Sequence, residues 1–111
     1  MIVRIWSTGV DPERVDEYLT FAQHRSLPMF HAHDGFLGVL FAESDERFAT
    51  ITLWRDRASV DALERSPTYR DTVADILAAG FLTGTQTVEV LDVAGGDLTD
   101  DAIHAVPRRE P

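Results

Sequence analysis

Residues 36–54 read Phe36-Leu37-Gly38-Val39-Leu40-Phe41-Ala42-Glu43-Ser44-Asp45-Glu46-Arg47-Phe48-Ala49-Thr50-Ile51-Thr52-Leu53-Trp54. Two runs rich in β-branched and aromatic side chains flank four polar residues, which is the pattern of an antiparallel hairpin. Working upstream, Ile2 to Ser7 has the same strand character. Asp11-Pro12-Glu13 is a helix start, with Asp11 able to cap and Pro12 suited to the first turn. Val15, Tyr18, Leu19, Ala22, Ser26, Met29, Phe30 and His33 follow at three- and four-residue steps, one face of a helix that ends at Asp34-Gly35. Pro28 lies inside this run and predicts a kink or restart near Leu27.

Downstream, Asp56 or Ser59 can cap a short helix through Leu63, and Ser66-Pro67 begins a second one. Tyr69, Val73, Ile76 and Leu77 form its inner face, and Gly80 is its stop. Thr85 to Val93 is the last strand. The order β-α-β-β-α-β predicts an α+β, ferredoxin-like domain over residues 1–93 with a four-stranded antiparallel sheet. Residues 94–111 form a polar C-terminal tail, either loose or packed on a partner subunit through Leu98, Ile103 and Val106.

This plan puts the helices on one side of the sheet, so the bare side should alternate polar with apolar. Neither side does. Val3, Ile5, Leu37, Val39, Phe41, Ala49, Ile51, Leu53, Val88 and Val90 make one set of alternating positions, almost purely aliphatic. The other set mixes apolar side chains with Arg4, Thr50, Thr52, Thr87 and Glu89, and includes Trp6, Phe36, Gly38, Leu40, Phe48, Trp54 and Leu91. Two apolar faces predict a homodimer in which the aliphatic faces cover each other. The mixed face, with apolar walls and a few polar groups, suits a small-molecule pocket. There Arg4 and Glu89 are expected to be cross-strand partners.

The net charge of −9 disfavours binding to nucleic acid. The tightest basic cluster, Arg108-Arg109, sits in the tail beside Glu110. No apolar stretch approaches the ~20 residues of a membrane helix, and Met1 to Trp6 has no signal-peptide pattern. The absence of cysteine excludes disulfides and thiolate chemistry and suits a cytoplasmic location. His31 and His33 are two apart, whereas helix-borne metal pairs are three or four apart, so no metal site is expected. His24 and His31 should face solvent.

The chain resembles the antibiotic biosynthesis monooxygenase family of dimeric α/β barrels. The resemblance covers roughly residues 1–93. It rests on Asp11-Pro12-Glu13, on Pro28 before Asp34-Gly35-Phe36-Leu37-Gly38, on Thr52-Leu53-Trp54, on Ser66-Pro67-Thr68-Tyr69, and on the ending from Gly80 to Val93. It implies a cofactor-independent monooxygenase acting with dioxygen on an aromatic, phenolic or polyketide-like small molecule. The alternatives are a cyclase or isomerase on a similar substrate, or a non-catalytic dimer that binds a hydrophobic metabolite. The positions where the haem-degrading branch carries its functional residues hold Trp6, Leu63 and Val73 here, none of which ligates iron. The polyketide-oxygenase branch pairs an asparagine with a tryptophan four residues on; here the pair is Thr50 and Trp54.

Such chemistry needs a dry pocket, a base or hydrogen-bond partner for a carbanion, and stabilisation of developing charge. His33 is the candidate general base, Tyr69 a group that binds or protonates a substrate oxygen, and Arg4 the partner of an oxyanion. Trp6 and Trp54 are expected as flat walls, with Phe48, Thr50, Thr52 and Glu89 as further substrate-binding residues.

Overall fold

The computed structural model describes residues 1–108; Arg109 and Glu110, noted above beside Arg108, lie outside them. The elements are β1 (Ile2–Val10), a 3-10 turn (Pro12–Arg14), α1 (Val15–Phe21), a π turn (Ala22–Ser26) and α2 (Leu27–His31). They continue with β2 (Phe36–Glu43), β3 (Phe48–Trp54), α3 (Arg57–Arg65), α4 (Pro67–Ala78), β4 (Leu82–Asp92) and α5 (Asp100–Ala105). The four strands form one antiparallel sheet in the order β2-β3-β1-β4. The chain is therefore an α+β protein of ferredoxin-like topology, with α1 to α4 on one face of the sheet.

The caps are those the residue types dictate. Asp11 accepts from the Glu13 amide, Asp56 from the Ser59 amide, and Ser66 from the Tyr69 amide. Of the two candidates at α3, Asp56 is the cap, and it also accepts the Ser59 hydroxyl at 2.6 Å. As expected near Leu27, the α-helix restarts there, with Pro28 in the first turn of α2. In a regular helix its ring would meet the carbonyl four residues back. Instead the chain widens into the π turn, where the Leu27 amide bonds to the Ala22 carbonyl five residues back. Gly35 adopts φ 82°, and a Cβ there would collide with the Ser59 side chain, so only glycine lets this turn lie against α3.

Three expectations are corrected. Both β1 and β4 are longer than expected, because Gly9 and Val10 pair with Thr83 and Leu82 beyond an irregularity after Ser7. Leu77 is exposed, and Thr72 takes its place on the buried face of α4 with Ile76. The side-chain sets of β4, and of β2 from Gly38 onward, are reversed. In β2, Phe36 opposes Trp54 but Gly38 opposes Leu53, leaving Leu37 as an extra residue. This bulge inverts the alternation, so Val39 and Phe41 oppose Thr52 and Thr50 on the helix side, and Leu40 opposes Ile51 on the open side. In β4, Val90 opposes Arg4 and Val88 opposes Trp6, so Glu89 and Leu91 join Ile5 and Val3 on the open face.

The helix side holds two cores. One contains Ile2, Met29, Phe30, Trp54, Val60 and Leu63. The other contains Val10, Tyr18, Phe48, Ile76 and Phe81. Across the sheet, the open face carries exposed Leu37, Leu40 and Leu91 around half-buried Val3, Ile5 and Ile51. The tail is neither wholly irregular nor buried: Thr99 caps α5, and Leu98 and Ile103 are exposed. No helix among the described residues is long and apolar enough to cross a membrane.

Candidate functional site

Where the two cores meet, they do not close. A cavity of about 40 Å³ lies between the sheet, the α1–π–α2 helix and α4; with its mouth, the empty space is about 440 Å³. Met29 and Phe30 border it from one core, and Tyr18 and Ile76 from the other. Arg4, Thr50, Tyr69 and Thr72 supply a polar band in walls that are otherwise largely apolar. Ala22 and Ser26 on the π turn are small side chains in the same wall, which is one reason the space is not filled.

Arg4 is the most unusual residue of the site, a guanidinium only 4% exposed. Its Nη2 donates to the Tyr69 hydroxyl at 2.8 Å, and its Nε donates to Glu64 Oε2 at 3.3 Å. The guanidinium carbon also lies 5.2 Å from the Tyr69 ring centre. A buried cation without a partner would cost several kcal/mol. Here Glu64, half-exposed, supplies the counter-charge. Among the described residues Nη1 makes no hydrogen bond, and no fully buried polar side-chain atom lacks a partner. The Tyr69 oxygen already accepts from Arg4, so its own proton is free to be donated.

Tyr18 is 2% exposed and projects from α1 into the same cavity. Burial pushes its phenol above the ordinary value of 10.0, and the neighbouring Thr50 hydroxyl offsets part of that rise. It therefore remains a neutral phenol well into the alkaline range.

The expected site residues divide. Arg4, Trp6, Thr50 and Tyr69 are brought together around the cavity. His33 is not. Its Nδ1 donates to the Met29 carbonyl and its Nε2 meets Ser66 Oγ, both at 2.8 Å, so it joins the end of α2 to the cap of α4. Trp54 is fully buried in the first core, edge-on to Phe30 and Phe36, and its indole N–H donates to Thr52 Oγ1 at 2.8 Å. Thr52 in turn bonds to the Arg4 carbonyl. Phe48 packs on Tyr18 in the second core. Glu89 opposes Ile5 on the open face and is no partner of Arg4. Tyr18 and Glu64 were not singled out as site residues. The signal for Tyr18 was its place on the helix stripe, one turn before Ala22, where small neighbours leave room. Nothing local marks Glu64. Among the described residues no group of three His, Cys, Asp or Glu side chains is placed to hold a metal ion.

No curated protein matches the sequence. Solved structures do match, at identities that carry the fold alone. Rv0793 from Mycobacterium tuberculosis is 21% identical with a TM-score of 0.69, over 86% of this chain and 96% of that one. An asparagine-to-alanine variant of SnoaB, a cofactor-independent oxygenase from Streptomyces nogalater, is 14% identical with a TM-score of 0.69, over 86% and 94%. NE2512 from Nitrosomonas europaea, a protein of unknown function, is 16% identical with a TM-score of 0.71, over 88% and 93%. The sequence profile of the antibiotic biosynthesis monooxygenase family matches residues 1–75, taking in β1 to β3, α3 and most of α4, and with them every residue that lines the cavity except Ile76. The chain belongs to the antibiotic biosynthesis monooxygenase family.

Proposed function

We propose that this protein is a cofactor-independent monooxygenase that oxidises a phenolic or enolic aromatic molecule in the cavity between sheet and helices. The observation that carries the reading is Arg4, a buried cation whose Tyr69 partner keeps a free proton at the cavity wall. A cation at that position favours the ionised form of a phenol or enol, so no dedicated base is required in the wall. Arg4 and Tyr69 then stabilise the oxyanion as electron density moves onto the ring. The electron-rich carbanion passes electrons to dioxygen and forms a carbon–oxygen bond. Protonation of the resulting peroxide and loss of water leave one oxygen atom on the substrate as a carbonyl.

A space of about 40 Å³ accommodates dioxygen or a water but not an aromatic ring, since pockets for drug-sized ligands run to hundreds of Å³. Substrate binding therefore requires the helix wall to move outward. The π turn is the part of that wall with the least regular hydrogen bonding. The bridge across it, Arg25 to Asp75 at 2.7 Å, joins two half-exposed side chains and holds it only weakly.

The working form is proposed to be a homodimer packed on the open sheet face, whose leucines and isoleucines water would otherwise cover.

Oxygen uptake with a panel of anthrones and quinols, without added metal or flavin, tests the reading. Uptake by the wild type and a loss of about 100-fold or more in Arg4→Gln are expected, the size typical of removing an oxyanion donor. Absence of uptake with every substrate would overturn the oxygenase and favour a cyclase or a binding protein.

A further inference from the structure

The cavity has a second polar end that the oxyanion chemistry does not use. Trp6 opposes Thr50 in the sheet, and Arg4 opposes Thr52. Arg4 and Thr50 are thus diagonal neighbours on one face, about 7–8 Å apart. Tyr69 reaches Arg4 from α4, while Tyr18 from α1 and Thr50 from β3 line the same cavity, and among the described residues neither of their hydroxyls makes a hydrogen bond. Trp6 lies on the same face and lines the same space. Arg4 with Tyr69 and Thr50 with Tyr18, each a strand residue and a helix tyrosine, therefore face one cavity from positions a diagonal step apart in the sheet, with an indole in its wall.

We infer that Tyr18, which lines the cavity with Thr50, is a specificity-determining residue that binds a second oxygen of the ligand, so that the site selects flat aromatics oxygenated at both ends. The inference rests on the functional reading above for the first end, where the ionised oxygen meets Arg4 and Tyr69. The argument for the second end is chemical. An apolar ring edge placed against Tyr18 and Thr50 would shut two hydroxyls away from water without a full set of partners, whereas a ligand hydroxyl or carbonyl restores them. A ligand with one oxygen satisfies Arg4 and leaves the other pair unmet.

The test is calorimetric titration with two naphthalenes, one hydroxylated once and one hydroxylated on both rings at opposite ends. The wild type is expected to prefer the doubly hydroxylated compound by about tenfold, one hydrogen bond's worth. Tyr18→Phe, which removes only the hydroxyl, should abolish the preference while keeping the affinity for the singly hydroxylated compound. Thr50→Val, an independent variant, should reduce the preference in the same direction. Arg4→Gln should weaken both compounds alike and leave the preference intact. A preference that survives in Tyr18→Phe, or a wild type that binds both equally or neither, would overturn the inference. Oxygen uptake measured on the same samples separates the two proposals: uptake with no Tyr18-dependent preference leaves the oxygenase standing alone, and the preference without uptake leaves only the two-ended site.

Discussion

At the residue scale, the balance between burial and pairing decides what each polar side chain can do. Arg4 is tolerated inside because Glu64 and Tyr69 meet it, yet the pairing is incomplete and leaves N–H groups available. Tyr18 shows the other outcome, a neutral group kept neutral by its surroundings. Its phenol is held above its ordinary value by burial, so the folded state keeps that proton more tightly than the unfolded chain. The resulting stability is complete below pH 10 and is lost as pH rises through the folded value. Tyr18→Phe, which removes a hydroxyl that makes no hydrogen bond among the described residues, should therefore change stability by less than about 1 kcal/mol at neutral pH, yet show a flatter decline above pH 10. Urea unfolding at a series of pH values from 8 upward checks this, and parallel curves for the two proteins would contradict it. The same attention to partners shows His33 as a link between helices outside the cavity wall, since both ring nitrogens are occupied by Met29 and Ser66.

At the element scale, the site is shaped by how two helices are begun and how one is distorted. Ser66 serves twice, as cap for the Tyr69 amide and as partner of His33 Nε2. It thereby links α2, which carries Met29, to α4, which carries Tyr69 and Thr72. Ser66→Ala should cost about 1–2 kcal/mol, a cap plus one side-chain bond, and lower Tm by roughly 4–8 °C. Differential scanning calorimetry reads this directly. A change within error would mean that Pro67 and packing alone define the start of α4. The π turn is an element-scale answer to Pro28: the wide turn relieves the proline ring, and its cost is a stretch with fewer regular bonds beside the cavity.

At the scale of the whole molecule, the sheet has one covered face and one open face. The open face is apolar through its central strands, where Ile5 opposes Ile51 and Leu40 lies alongside. A second copy placed on it would remove that surface from water, and a stable interface of this kind buries about 1,200–2,000 Å² in total. Sedimentation equilibrium should give a mass twice 12.4 kDa for the wild type. Ile51→Glu should sediment as a monomer at micromolar concentration, because each copy would bring an unpaired carboxylate into the contact. A wild-type monomer would remove the dimer. The cavity opens on the opposite side of the sheet, so loss of the dimer need not abolish ligand binding.

The sequence by itself determined the order of elements, the caps at Asp11 and Ser66, the hairpin at 36–54 and the apolar character of both sheet faces. These are local properties: turn chemistry, capping and alternation act over a few residues and leave their pattern in the chain. It also placed Arg4, Trp6, Thr50 and Tyr69 near one another, because alternation within β1 and β3 is uninterrupted where they lie. Only the tertiary structure decided which faces of β2 and β4 look inward. A single extra residue at Leu37 inverts every side chain after it, and β4 takes its facing from its register with β1. That reversal removed Glu89 from the site. Glu64 and Tyr18 entered it through contacts across 60 and more residues and across helix–sheet packing, which no local pattern records. The cavity itself is a property of packing alone, the space left where two cores fail to meet.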